Sequence, residues 1–347
     1  MNAILIPAYK PDEKLIELCR QLLTHEDLKL VVVDDGSGEE FRHIFDALDE
    51  RVKVISYPVN KGKGGALKTG IAYIYENLPE CERVVTADAD GQHRYEDIRK
   101  VIIRSVECPG QLVLGSRKFD ESNVPARSRF GNALTRGVFR LVSGAKVYDT
   151  QTGLRGFDRP LMQRFMNVHG DRYEYEMNML LDAAADKIPI TEVTIKTVYL
   201  NENESSHFNP LKDSAKIYYC LLKHFIKFAG SSLLAFGIDY VFVLLFHYLF
   251  KWPRKTANYA ARVISASANF TVNHKFVFES REKIWLALLK YAMLAVAIAI
   301  ADTYLLEFLC SVIRIPLPVA KPITEITMFL ISYPVQKHVV YKKQFKG

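Results

Sequence analysis

The 347-residue chain has little that would build a disulfide framework, a cysteine-rich metal knot or a nucleic-acid interface. Its five cysteines, Cys19, Cys81, Cys108, Cys220 and Cys310, show no paired spacing, which argues against both disulfides and zinc motifs. The formal net charge is only +7; beside long apolar runs this fits lipid-facing and cytoplasmic basic residues, not a nucleic-acid partner. The start, MNAILIPAYK, lacks a basic leader and reads as a strand, so no cleavable signal peptide is expected. The spacing G-x-x-x-x-G-K-[ST] does not occur, which excludes a P-loop, and no Ser–His–Asp arrangement is evident.

Long apolar runs are confined to the C-terminal third, as in SSLLAFGIDYVFVLLFHYLF and LALLKYAMLAVAIAIADTYLLEFL. Each is long enough to cross a bilayer as a helix, which takes roughly 20 residues. Four spans are predicted, at about 226–250, 256–277, 285–310 and 316–338. The expected organisation is a domain over 1–210, a juxtamembrane helix over 211–225 and a membrane domain over 226–347. In the juxtamembrane helix Leu211, Ala215, Tyr218, Leu222, Phe225 and Ile226 share one face and Lys212, Lys216, Lys223 and Lys227 another, the pattern of a helix on an anionic leaflet or of a buried helix with solvated lysines. Basic residues at 224–227, 275–283 and the tail place the first domain in the cytosol, with KWPRK (251–255) counting against. Asp239, Arg262, Asp302, Lys321 and Glu325 project to the outer half of the bilayer. They read either as mutual pairs or as the lining of a polar cavity.

Up to about residue 210 strand-like and helix-like segments alternate. AILIPAY, KLVVVDDGS, VKVISY, ERVVTADAD and QLVLGS are strand candidates separated by amphipathic helices, which predicts an α/β domain with a mostly parallel sheet covered on both faces. Ligands in such sheets bind beyond the carboxyl ends of the strands, where Asp34 and Asp35, Asn60 to Lys63, Asp88 and Asp90, and Arg117 are placed. Two carboxylates at one strand mouth repel unless a positive charge accompanies them. Asp88 and Asp90 therefore read as ligands of a hard divalent cation that travels with phosphates, or as a solvated acidic turn. NKGKGGALKTG (60–70) reads as a phosphate-cradling loop opening a helix, or as a flexible turn with solvated lysines.

Together IPAYK, VVVDDGS, NKGKGGALKTG, TADADGQHRYEDI and VLGSRKF resemble, in order and spacing, family 2 glycosyltransferases of GT-A-type fold, and most of all the polyprenyl- and dolichyl-phosphate sugar synthases. The resemblance covers about residues 1–215. It implies a Rossmann-like catalytic domain in which Asp35, with Pro7, Tyr9 and Lys63 nearby, binds a nucleotide sugar. It implies that Asp88, Asp90 and Gln92 hold Mg²⁺ or Mn²⁺. The family's DxDLQHP stands here as DADGQHR, so Gly91 and Arg94 depart from it. On the acceptor side it implies Arg117 and Arg129 as phosphate-facing residues, suited by the guanidinium fork, whereas Arg127, Arg136 and Arg140 read as a solvated or membrane-facing stripe. His207 and Lys212 match a segment that closes over the donor phosphates. The Q-x-x-R-W signature of processive synthases is absent, so one sugar per cycle is expected; Glu174 and Glu176, in that region, orient the acceptor or cap a helix.

The implied reaction is inverting transfer from a UDP- or GDP-sugar to a polyprenyl phosphate, with Asp90, Arg117 and Arg129 as catalytic residues. The span block with NFTVNHKFVF resembles the GtrA-like membrane family, implying an anchor, an oligomerisation unit or a flippase. The competing expectation is a membrane transport or scaffold component whose soluble half only binds nucleotide sugar.

Overall fold

The computed structural model describes residues 1–25, 28–117, 126–196 and 212–341 except 279 and 281, with the backbone alone for some helix residues. The chain divides into two compact units, Met1–Leu221 and Leu222–Gly347.

The first unit is built on one seven-stranded sheet of order β3-β2-β1-β4-β6-β5-β7. Its strands are β1 (Asn2–Ala8), β2 (Leu28–Asp34), β3 (Val52–Ser56), β4 (Arg83–Thr86), β5 (Leu112–Arg117), β6 (Arg155–Asp158) and β7 (Ile190–Ile195). Only β6 runs antiparallel, against both β4 and β5. The central strands are apolar on both faces because both are covered: Ile4, Leu5, Ile6 and Val31 to Val33 have no exposed surface. Leu15, Leu18 and Leu22 of α1 (Lys14–His25) cover one side together with Ile98, Val101 and Ile102 of α4 (Tyr95–Glu107). Helix α3 (Lys63–Asn77) lies so near β1 that a Cβ on Gly70 would stand 2.1 Å from Leu5 Cδ1, so only glycine fits there.

Between β2 and β3 the chain forms a 3₁₀ turn, Glu39–Phe41, followed by the short α2 (Arg42–Asp46). Strands β6 and β7 were not expected. The four residues RGFD and the half-exposed ITEVTI carry too weak an apolar signal, and pairing with β5 decides both. In the register of β6, Arg155 pairs with Thr86, so the loop just before β6 arrives at the carboxyl edge of the parallel strands.

The second unit contains, among the described residues, α8 (Lys212–Leu244, which starts in the first unit), α9 (Arg254–Val272), α10 (Ile284–Glu307) and α11 (Leu317–Val335). Each runs on into a π-helical turn, Leu245–Leu249, Asn273–Val277, Phe308–Val312 and Gln336–Val340. Among the described residues one segment, Phe225–Leu249, is long and apolar enough to cross a membrane, and the apolar stretches 284–298 and 326–335 are shorter. Charged and amide residues interrupt the others: α9 carries Arg254, Lys255, Arg262 and Asn269.

The juxtamembrane segment and the first span are one continuous helix. Its buried apolar positions are Ile217, Leu221 and Phe228, while Ala215 and Ile226 are exposed, so the apolar face differs from the expected one; Lys216, Lys223 and Lys227 are exposed. Of the five charges expected in the outer half, Asp239 accepts a hydrogen bond from Ser265 Oγ at 3.1 Å; the side chains of Arg262, Asp302, Lys321 and Glu325 lie outside the described residues.

The helices reveal an internal repeat. Lys251 and Arg314 both adopt left-handed backbone, with φ of 60° and 63°, and Pro253 and Pro316 follow two residues later as N-caps. The backbone bonds recur in step: Phe250 and Ile313 donate to Leu245 and Phe308, Trp252 and Ile315 to Phe246 and Leu309, Phe278 and Tyr341 to Asn273 and Gln336. Each pair is 63 residues apart (314 − 251). The unit is thus two copies of one hairpin design, closed each time by a left-handed residue and a proline that cannot continue the helix.

The two copies meet through equivalent side chains. Phe278 stacks on Tyr341 with ring centroids 5.0 Å apart. Asn273, fully buried, accepts from Ser231 Oγ and donates to Asn269 Oδ1 and to its counterpart Gln336, which in turn donates to Ser332. Asn273→Leu would take this donor from Asn269 Oδ1 and Gln336 Oε1 and leave Ser231 Oγ with the Phe228 carbonyl. Interhelical bonds in membranes average ~0.6 kcal/mol, with about 1.7 as the upper end. The expected outcome is a lower thermal midpoint in detergent, with Asn273→Gln in between. An unchanged midpoint for Asn273→Leu would show that the network contributes nothing.

Candidate active site

Strand register brings the predicted residues of β4 and β5 to one edge. Beyond Thr86 the chain turns through Asp88, Asp90 and Gly91, the last with φ 77°, before α4. The turn is built from within. Gln92 N donates to Asp90 Oδ1 at 3.0 Å, and Asp88 N donates to His93 Nδ1 at 3.0 Å. His93 is buried and its acceptor nitrogen holds the turn, so it is a structural member of the motif.

A cleft opens here, lined by Asp88, Gln92, His93, Arg117, Gln151, Thr152, Gly153, Ile195 and Lys196. Arg117, at the end of β5, is held by Asp149 through Nε to Oδ2 at 2.7 Å and Nη2 to Oδ1 at 3.0 Å, and its own N–H also donates to Asp149. Asp149 has no exposed side-chain surface whereas Arg117 keeps 24 %. A buried carboxylate thus aims a partly exposed guanidinium into the cleft. The loop 149–154 is itself pinned by Thr86 Oγ1 to the Gly153 carbonyl and Thr152 Oγ1 to the Gly115 carbonyl. Beneath it the fully buried Arg155 donates to the carbonyls of Thr152 and Glu176, and burial pulls its pKa below the usual arginine value.

Lys63 Nζ lies 2.7 Å from Asp88 Oδ1 and 3.1 Å from Glu176 Oε1. Burial raises the Asp88 pKa, but the ammonium of Lys63, with His93 and Arg117, outweighs it and holds Asp88 down at about 2. Asp90 is raised by burial and by the charge on Asp88. Asp88 is therefore ion-paired within the protein. Of the two glutamates opening α7 (Glu174–Ala185), Glu174 accepts from the amides of Asp171 and Arg172 and caps the turn; Glu176 reaches Lys63.

The glycines of the NKGKGGALKTG loop have a packing role. Lys61 N and Gly62 N donate to Asp35, and Gly65 N donates to the Asp171 carbonyl, so these amides are already engaged. A Cβ on Gly62 would meet Asp171 O at 2.5 Å and one on Gly64 would meet Tyr175 Cβ at 2.5 Å. The glycines are there because the 171–175 segment lies against them. Asp35, 2 % exposed, accepts from Tyr57 Oη, Asn60 Nδ2, Lys61 N and Gly62 N. Both oxygens are engaged inside the protein, and binding a base or ribose would require one donor to be exchanged.

Pro7 pairs with Val33 within the sheet, and Tyr9 follows β1 with its ring 5.6 Å from Lys10 Nζ. Arg129 is on the first turn of α5 (Ala126–Ser143) and exposed. His207 lies outside the described residues, as do the side chains of Arg127 and of Lys212, the first residue of α8. The stretch DTQTGLRGFDRPLM (149–162) resembles the acceptor side of the family, but sequence reasoning gave Asp149, Thr152 and Gly153 no role of their own, nor Lys196 beyond β7. The polar run DTQTG was the available signal, but its partners are distant in the chain.

The family model described as "Glycosyl transferase family 2" matches residues 3–165, and that described as "GtrA/DPMS, transmembrane domain" matches residues 227–341. The chain is 32% identical over 210 residues to an uncharacterized protein of Methanocaldococcus jannaschii, covering 59% of this chain and 85% of that one. It is 32% identical over 238 residues to the UDP-N-acetylglucosamine–dolichyl-phosphate N-acetylglucosaminyltransferase of Methanococcus voltae, covering 63% of this chain and 94% of that protein. Human dolichyl-phosphate beta-glucosyltransferase is 27% identical over 220 residues, covering 56% of this chain and 66% of that one. Among solved structures, glucosyl-3-phosphoglycerate synthase from Mycobacterium tuberculosis, in complex with Mn²⁺, UDP and glucosyl-3-phosphoglycerate, superposes with a TM-score of 0.48 at 18% identity over 64% of this chain and 79% of that one. The chain belongs to glycosyltransferase family 2, as a GT-A-like transferase domain joined to a GtrA/DPMS-type transmembrane domain.

Proposed function

We propose that the protein transfers one sugar, with inversion, from a nucleotide sugar to a polyprenyl phosphate at the cytosolic face of a membrane. The observation that carries this reading is the meeting, in one cleft, of Asp88, the first carboxylate of the Asp88/Asp90 pair, with an arginine aimed by a buried aspartate. The first suits a metal-bound diphosphate and the second a phosphate monoester. The relatives' names, which specify dolichyl-phosphate acceptors, support it, and so does the GtrA/DPMS-type region.

The residues fit a divalent cation. Asp88 and Asp90 offer hard oxygen donors, and the space against Asp88 is kept clear by Gly153, whose Cβ would stand 2.5 Å from Asp88 Oδ2. Asp88, Asp90 and Gln92 would hold Mg²⁺ or Mn²⁺, which when bound offsets the charge of the leaving diphosphate. Little proton transfer is needed, since a phosphate monoester loses its second proton near pH 6 (about −1.5 to −2 charge at pH 7). The phosphate oxygen forms the new bond to the anomeric carbon as the bond to the diphosphate breaks, which inverts that centre. Arg117 and Arg129 neutralise the incoming anion, so that two negative reactants can approach.

Membranes containing the protein, given each labelled nucleotide sugar in turn, are expected to place one label in a lipid fraction. Arg117→Ala and Arg129→Ala should damage use of lipid phosphate more than binding of free nucleotide in titration calorimetry. Equal loss of nucleotide affinity would assign these arginines to the donor, and the absence of any labelled lipid would overturn the reading.

A further inference from the structure

We propose that Glu176 is a positioning residue that lets Lys63 and a divalent cation share the site, by taking the Lys63 ammonium from Asp88. This rests on the metal reading of Asp88 and Asp90 above. It goes beyond it in giving Glu176 a task that is neither ligation nor helix capping.

The geometry is that of a cation between two carboxylates. Lys63 Nζ is 2.7 Å from Asp88 Oδ1 and 3.1 Å from Glu176 Oε1, with 17, 27 and 9 % of the three side chains exposed. Lys63 is fixed at the start of α3, under the 171–175 segment, and Glu176 sits in the first turn of α7. The neighbouring cation, Arg117, is matched by its own carboxylate, Asp149. Asp88, Asp90 and Glu176 then face Lys63, with Arg117 and the buried Arg155 also within electrostatic reach of Asp88. With a divalent cation on Asp88 and Asp90, Glu176 is the carboxylate left within reach of the ammonium. Without Glu176 the ammonium and the metal would compete for Asp88, and two cations a few ångströms apart at low local dielectric repel strongly. Glu176 is already 3.1 Å from Nζ and accepts it with little movement. Gly153 fits the same arrangement, since its Cβ would stand 2.8 Å from Lys63 Nζ as well as 2.5 Å from Asp88 Oδ2, leaving no room for a side chain at the point of exchange.

The test is Mn²⁺ binding to the purified full-length protein, read as free Mn²⁺ by electron paramagnetic resonance with no nucleotide or acceptor present. Glu176→Gln, which keeps shape and removes charge, should raise the Kd by about tenfold or more, the effect of one pKa-unit-sized electrostatic change. In a Lys63→Gln background the same substitution should change the Kd less than about twofold, because no ammonium is left to relocate; a tenfold effect reduced to twofold is well outside simple additivity. If Lys63→Gln does not fold alone, the double variant, which removes one charge of each sign, is compared directly with wild type and should bind Mn²⁺ at least as tightly. A Glu176→Gln variant with wild-type Kd overturns the proposal. So does a penalty of equal size in both backgrounds, which would make Glu176 merely one more negative charge or a ligand. Wild-type protein that retains no Mn²⁺, or an Asp90→Asn variant that binds it as well as wild type, would instead overturn the metal reading itself.

Discussion

Asp90→Asn is expected to reduce turnover at least 10²-fold, the scale of losing an element that stabilises developing charge, while leaving the fold intact. The reason lies in how the two carboxylates differ. Asp88 is matched by Lys63 at 2.7 Å and held ionised. Asp90 is pushed up by burial and by Asp88, so it gains most from a cation arriving at the pair. Asparagine keeps the acceptor oxygen that receives the Gln92 amide, and the turn should survive. Activity measured against added Mg²⁺ or Mn²⁺, with EDTA as control, decides the matter. An EDTA-insensitive enzyme, or a fully active Asp90→Asn variant, would remove the metal from the reaction.

Gly153→Ala should be nearly as damaging, through space and not charge. The added Cβ would stand 2.5 and 2.8 Å from the two Asp88 oxygens and 2.8 Å from Lys63 Nζ. The backbone has little freedom to yield, since the Gly153 carbonyl accepts Thr86 Oγ1 at 2.7 Å and the flanking Thr152 and Arg155 are tied to Gly115 and Glu176. The side chains of the site must therefore move. A misplacement of about 1 Å at a reacting centre costs on the order of 10² in rate. Because the alteration falls in a cleft and not in the core, the thermal midpoint should change by no more than a few degrees, in line with about 1 kcal/mol. Near-normal turnover of Gly153→Ala would show that Asp88 and Lys63 are free to rearrange.

The legible parts of the site were those whose chemistry is local. A doublet of aspartates after an apolar strand, followed by Gly91, announces itself within a few residues, as does the arginine ending QLVLGSR. The parts that stayed hidden are long-range. Asp149 reads as one polar residue in a polar run, and only the β5–β6 pairing sets it against Arg117. Glu176 reads as a helix cap as readily as its neighbour Glu174, until α7 is packed beside α3 and one caps while the other meets Lys63. The glycines of NKGKGGALKTG read as a phosphate-cradling loop or a flexible turn, and only the tertiary structure sets the 171–175 segment against them.

The membrane unit divides in the same way. Its apolarity and its helices follow from composition, because a backbone without water must satisfy its own hydrogen bonds. The 63-residue repeat keeps only scattered identities, among them Asp239/Asp302, Pro253/Pro316 and Val277/Val340. It becomes visible in backbone bonds and left-handed turns that recur in step. By itself, then, the sequence determined the alternation of strands and helices, the family-bearing motifs and the apolar C-terminal third, since these depend on periodicity, turn chemistry and residue type over short stretches. The tertiary structure alone decided which carboxylate answers which cation and which glycine faces which backbone, because a charge or a Cβ acts on whatever lies within a few ångströms, however far away that neighbour is along the chain.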